Sequence, residues 1–275
     1  MKIEGKGTET YLYINGLKVN RPLRLSDNVE LLPAESSPSP DSMISVSKTE
    51  VDFGITAVFL RQVTSQLKIT SEAPESLVIL AWNSLWDAVL LSAIYDCEAA
   101  CNFQSDKPAE EFGSESYLSI TNYHMRGLTF EPYELTQEDE IWIKSNYQKA
   151  KKLTNNNVFQ DAVHSMETYR FHSLPKARLA IIWSGIEGLF GIQQELVFRL
   201  SLYIAHFLEP EDKEKRKQLF NSVKQLYKHR SSAVHGSKIK GKPHDHVVES
   251  AELLNRLIHK CIEHDGVPDV DELAI

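Results

Sequence analysis

The chain has 275 residues, 42 % of them hydrophobic and 25 % charged, with 12 glycines and 11 prolines. That length fits one large domain or two modest ones, and that composition excludes a disordered, collagenous or low-complexity protein. Thirty Lys and Arg against 38 Asp and Glu leave a net charge of −8, so the chain as a whole repels nucleic acid and a phosphate-binding surface has to be a local patch.

Residues 1–130 read as a β-rich N-terminal domain that contains one long helix. The polar opening, Met1-Lys2-Ile3-Glu4-Gly5, lacks a signal-peptide core, which points to a cytoplasmic protein. Thr10–Ile14 and Leu17–Val19 flank Asn15-Gly16, a pair suited to the positive φ angles of a type I′ turn, and the spacing predicts a hairpin. Arg24–Leu32 and Ile44–Lys48 predict short strands on either side of a Pro- and Ser-rich loop over 33–42. Val51–Thr70 mixes Val, Ile, Thr and Phe and predicts strand rather than helix.

From Pro74 the pattern changes, and Glu75 to about Cys101 predicts a long apolar helix. Its segment Leu77–Tyr95 carries one charge, Asp87. An acidic group near mid-span costs about 2.5–3.5 kcal/mol on insertion, which the many Leu, Val and Ile partly offset, so hydropathy alone does not exclude a span. With Asn83, Ser84 and Ser92 inside it and Asp96 and Glu98 just after it, the segment is expected to be buried among other helices. Cys97 and Cys101, four apart, would share a helix face and read as small buried thiols, since no further ligands stand at zinc-like spacing. With Cys261 the cysteines number three, too few for a disulfide framework. Gln104–Ser116 reads as loop and Tyr117–Met125 as a strand, with a domain boundary near 130–135 at Glu131-Pro132.

The remainder, residues 135–268, predicts an all-helical domain, so the expected class is α+β. Thr136-Gln137-Glu138-Asp139 resembles a capping box ahead of a helix to Leu153, and Asn155-Asn156-Asn157 breaks it. Further helices are expected over 159–171, from Pro175 to Gly191, over 193–208, from Pro210 to Gly236, and over 247–263 with Asp245 as cap. Trp82, Trp86 and Trp183 lie at helical core spacing.

Residues 211–242 hold ten basic side chains against Glu211, Asp212 and Glu214, a local balance of +7. Lys224, Lys228, Lys238 and Lys240 are the candidates to hold RNA phosphates there. Inside the patch runs Tyr227-Lys228-His229-Arg230-Ser231-Ser232-Ala233-Val234-His235-Gly236. Arg supplies a permanently charged planar fork for a phosphate, and His titrates near neutrality. Together they form a minimal kit for cleaving RNA without metal. On an ideal helix the two positions lie about 140° apart, so the helix has to end near His235 for the side chains to converge.

This stretch, preceded by Trp183-Ser184-Gly185-Ile186-Glu187-Gly188-Leu189-Phe190-Gly191, resembles the HEPN superfamily and, within it, the Apea-like branch, over about residues 135–268. The specific part is R-x4-H, from Arg230 to His235. The resemblance implies an all-helical bundle and a metal-independent ribonuclease of bacterial toxin or antiphage type. It further implies a homodimer formed through the C-terminal helical domain, with the Arg and His of both copies lining one cleft. On that footing Arg230 is the phosphate clamp and His235 the general acid/base. Ser231 stands where many such nucleases carry Asn, Asp or His, and Glu187 either pairs with Arg230 and orients it or faces solvent. Gly236-Ser237 lacks the tyrosine of the H-x-Y extension that a nucleotidyltransferase partner modifies in some toxin pairs. RNA is the expected partner, with no DNA, membrane, metal or cofactor.

Two other readings stay open: a non-catalytic module whose basic helix binds RNA or a protein, and a dimerisation bundle that leaves specificity to the N-terminal region. His244-Asp245-His246 has metal-like spacing without accompanying ligands. No Gly-rich phosphate loop, G-x-S-x-G or H-E-x-x-H occurs.

Overall fold

The computed structural model describes residues 3–5, 7–121, 131–192, 194–234 and 241–273. The class is α+β, with a β-sheet in the N-terminal region and a mostly helical C-terminal part. Contacts divide the chain into two compact units, residues 1–92 with 97–148, and residues 93–96 with 149–275.

In the first unit, β1 (Glu9–Asn15), β3 (Leu23–Arg24), β4 (Val29–Pro33), β5 (Val63–Thr70), β6 (Ala100–Ser105) and β7 (Leu118–Ile120) form an antiparallel sheet of order β3-β4-β5-β1-β6-β7. A shorter parallel pair joins β2 (Leu17–Lys18) to β8 (Tyr133–Glu134). β1 is buried on both faces, as a central strand must be. Tyr11 and Tyr13 pack with Met43 of α1 (Pro40–Val46) and with Ile55 and Phe59 of α2 (Glu50–Phe59). Leu12 and Ile14 alternate onto the opposite face, fully buried.

That centrality overturns the expected hairpin. Gly16 has φ +84, as a turn glycine would, but both edges of β1 are taken by β5 and β6, so β2 finds β8 instead. The glycine is required for space as well, since a Cβ there would stand 2.0 Å from the Glu98 carbonyl oxygen. The predicted strand over 24–32 is two short ones, because Leu25 and Ser26 both donate their N–H to the Val29 carbonyl and fold the chain back.

Ile44–Val46 lies in α1 and the first half of Val51–Thr70 is helical too, contrary to the propensity reading. Ser39 accepts from the Ser42 N–H with Pro40 behind it, and Thr49 accepts from the Asp52 N–H. Those caps and the buried Ile55 and Phe59, four apart, outweigh the β-branched content.

α3 (Pro74–Ile94) ends seven residues before Cys101. Asp96 turns the chain with φ +45, and the Ser92 hydroxyl accepts from the Ala99 N–H, so Cys97 and Cys101 do not share a helix face. Burial pushes the Cys101 and Cys261 thiols up to about 12, which removes them as nucleophiles at neutral pH. Among the described residues α3 is the one helix long and apolar enough to cross a membrane. Its Asp87 is buried and accepts from the Tyr147 hydroxyl at 2.6 Å, on α4 (Gln137–Leu153). Trp82 faces outward, 51 % exposed, contrary to its expected core position.

α4 starts on the expected capping box. The Asp139 N–H donates to Thr136 Oγ1, and the Thr136 N–H donates back to Asp139 Oδ2. The second unit continues with α5 (Asn157–Thr168), α6 (Pro175–Phe190), α7 (Leu196–Leu208), α8 (Lys213–Val234), α9 (Pro243–His264) and α10 (Val270–Leu273). α6 is its central helix, packed on α5, α8 and α9, with Leu179, Ile182, Trp183 and Ile186 fully buried. Gly191 ends α6 at φ +58. Lys242, not Asp245, is the N-cap of α9, with Pro243 opening its first turn. Three carbonyl contacts tie the end of α3 into this unit: Asn255 Nδ2 donates to the Ala93 and Ile94 oxygens at 2.9 and 2.8 Å, and His259 Nε2 lies 2.9 Å from the latter.

Candidate active site

Helical spacing sets the site. Trp183 and Glu187 are four apart on α6, and Tyr227 and Arg230 three apart on α8, so each pair occupies one helix face. The Trp183 indole is fully buried, donates from Nε1 to Ser250 Oγ of α9 at 3.1 Å, and meets the Tyr227 ring edge to face at 5.3 Å. The Arg230 guanidinium carbon lies 5.5 Å from the centroid of that same ring. Trp183 therefore joins three helices under Arg230.

One turn beyond Trp183, Glu187 meets Arg230. Nη2 donates to Oε2 at 2.9 Å, and Nε lies 2.8 Å from Oε1 without hydrogen-bond alignment. The two side chains are 19 % and 22 % exposed. Burial pushes the Glu187 carboxyl above its ordinary value, and Arg230 only partly opposes this. The Tyr227 phenol is raised by burial and then by Glu187, against Arg230. A guanidinium has five N–H donors in one plane. Among the described residues Nη1 has no acceptor, so the fork is fixed along one edge and has donors left for a phosphate oxygen.

Next to Arg230, the His229 ring stacks on His246 of α9, with centroids 3.6 Å apart and planes at 11°. Burial, then His246, lower the His229 pKa, with Lys228 adding to this and Glu249 opposing it. The sequence assigns no role to His229 and offers His246 only as a metal ligand. Their meeting depends on how α9 returns along α8, which no local pattern encodes. His244 is exposed, and no group of three metal-ligating side chains occurs among the described residues.

Ser231 is half-buried on the turn after Arg230. Lys228 is exposed and Lys224 half-buried, its Nζ 5.8 Å from the Phe220 ring. His235, Lys238 and Lys240 lie outside the described residues. α8 itself carries seven cations against Glu214. The arrangement can bind an anion at an oriented arginine on a positively charged helix, beside two imidazoles. No protein family, curated protein or solved structure matches this chain.

Proposed function

We propose that the second unit is an Apea-like HEPN domain and that the protein is a metal-independent endoribonuclease of antiphage or toxin-like type, working in the cytoplasm as a homodimer through its helical domain. The observation that carries the reading is the Glu187–Arg230 pair: a guanidinium held at Nη2 by a carboxylate, with no acceptor for Nη1 among the described residues, near the end of a helix of net charge +6. In this reaction a base takes the proton of a ribose 2′-hydroxyl and O2′ attacks the adjacent phosphorus. The 5′-oxygen leaves with a proton from an acid, giving a 2′,3′-cyclic phosphate and a 5′-hydroxyl end. Arg230 stabilises the charge that develops on the phosphorane oxygens. His235, five residues on, is the general acid/base, and the copies from two protomers divide the two proton transfers.

The test is cleavage of cellular RNA by the full chain in the presence of a chelator, compared with Arg230→Ala and His235→Ala. Cleavage that survives the chelator and is lost in both variants supports the proposal. Equal cleavage by folded variants overturns it.

A second reading is favoured by the same ion pair, because Glu187 already answers much of the charge of Arg230. On that reading the domain binds RNA or a protein without cutting, and RNA is retained at low salt and recovered intact.

A further inference from the structure

We propose that Phe198 and Phe220, together with the lysines beside them, form a base-stacking platform for single-stranded RNA on the α7–α8 face. The inference rests on the RNA reading above and adds where the strand is held and in what form. Phe198 of α7 is 54 % exposed, and its ring meets that of the half-buried Phe220 of α8 at 5.7 Å and 76°, so about half of Phe198 is open to solvent. Lys224 Nζ lies 5.8 Å from the Phe220 ring, one turn along α8. Exposed Lys217 and Lys228 flank it, and among the described residues none of these three lysines pairs with a carboxylate.

An exposed ring of α7 beside lysines of α8 that pair with no carboxylate among the described residues is poorly suited to an apolar protein surface, which would bury those charges without partners. It suits a ligand with a flat π-face and an anionic backbone. Duplex RNA hides its bases in the stack, whereas an unpaired strand offers both groups at once. By helical rise Phe220 lies about 15 Å along α8 from Arg230 and about 80° around its axis, so a strand stacked on the platform runs toward the arginine. The platform fixes unpaired nucleotides near the phosphate that Arg230 holds.

The test uses a fluorescent 2′-O-methyl oligouridine 12-mer, which lacks the attacking hydroxyl, and its duplex with oligoadenosine, titrated with the full chain by anisotropy. The expected result is tighter binding of the single strand than of the duplex. Phe198→Ala should weaken single-strand binding about five- to hundred-fold, Phe198→Trp should keep it, and Lys217→Gln with Lys224→Gln should lower both affinity and its salt dependence. Phe198 is largely outside the core, and Phe220→Leu provides a second variant should Phe198→Ala unfold. Unchanged binding by folded Phe198→Ala and Phe220→Leu overturns the platform, as do equal affinity for the duplex and no binding by the wild-type chain. A loss of self-association with RNA binding intact also overturns it, and makes the face a contact between copies. Cleavage of unmodified RNA is scored separately. If cleavage persists while Phe198→Ala binds normally, the nuclease stands and the platform falls. If binding follows the expected pattern without cleavage, the platform stands and the nuclease falls.

Discussion

His229 and His246 lie ring on ring, 3.6 Å between centroids, so two neighbouring helices meet through a pair of bases that repel each other once both are protonated. The unfolded chain has no such conflict and takes up protons first as the pH falls. Because the folded value of His229 is depressed, its contribution is complete above about pH 6.5, the ordinary value for histidine, and is lost as the pH drops through the folded value. His164 and His206 are lowered mainly by burial and act in the same direction. The melting temperature should therefore fall between pH 7.5 and 5.5, and less steeply in His229→Phe. Scanning fluorimetry across that range checks it, and parallel curves for wild type and His229→Phe would count against the account.

Glu187 and Arg230 should show strong coupling. Removing either leaves the other mostly buried and short of its partner, at a cost of about 1–3 kcal/mol. The double replacement by Ala should cost less than the two single changes together, and Glu187→Gln less than Glu187→Ala because an acceptor for Nη2 remains. Urea denaturation of the four proteins gives the cycle, and strict additivity would show that the two groups do not interact in solution.

Arg230→Lys separates charge from shape. Lysine keeps the positive charge but has no planar fork to span a carboxylate and a phosphate together. Under the nuclease proposal RNA affinity should change little while the cleavage rate falls about 100-fold or more. Full activity in the lysine variant would mean that a point charge suffices.

Trp183 should be the most sensitive position in the helical unit. Trp183→Ala opens a cavity under Tyr227 and leaves Ser250 without its donor, for a loss of about 3–5 kcal/mol. Trp183→Phe retains the ring contact and should cost about half as much. Thermal melts of the two variants rank them.

Gly16→Ala should destabilise the sheet by about 1–3 kcal/mol, because a Cβ would meet the Glu98 carbonyl and the residue would hold φ at +84. A melting temperature unchanged from wild type would place that carbonyl elsewhere in solution.

Signals confined to a few residues were readable in the sequence. Thr136 with Asp139, Pro175 and Gly191 marked helix ends because a cap is made by its own neighbours. Residues 44–59 misled because Val, Ile and Thr suggest strands, whereas Ser39 and Thr49 cap helices whose apolar faces only the sheet makes necessary. The hairpin at Asn15-Gly16 failed for a non-local reason, since strands from residue 63 onward and residue 100 onward claim both edges of β1. The same division holds at the site. Arg230 and the basic helix could be read from adjacent residues, but Glu187 could only be left as either partner or surface acid, and the His229–His246 stack had no local signature.

The carbonyl ends of α3 at Ala93 and Ile94, held by Asn255 and His259, bear on how the helical half can be excised. A fragment starting at residue 149 would take from Asn255 and His259 of α9 the carbonyl oxygens of Ala93 and Ile94. Restoring the tetrapeptide 93–96, as a short appended tail or through a circularly permuted gene, is the natural remedy for anyone wishing to handle that half alone.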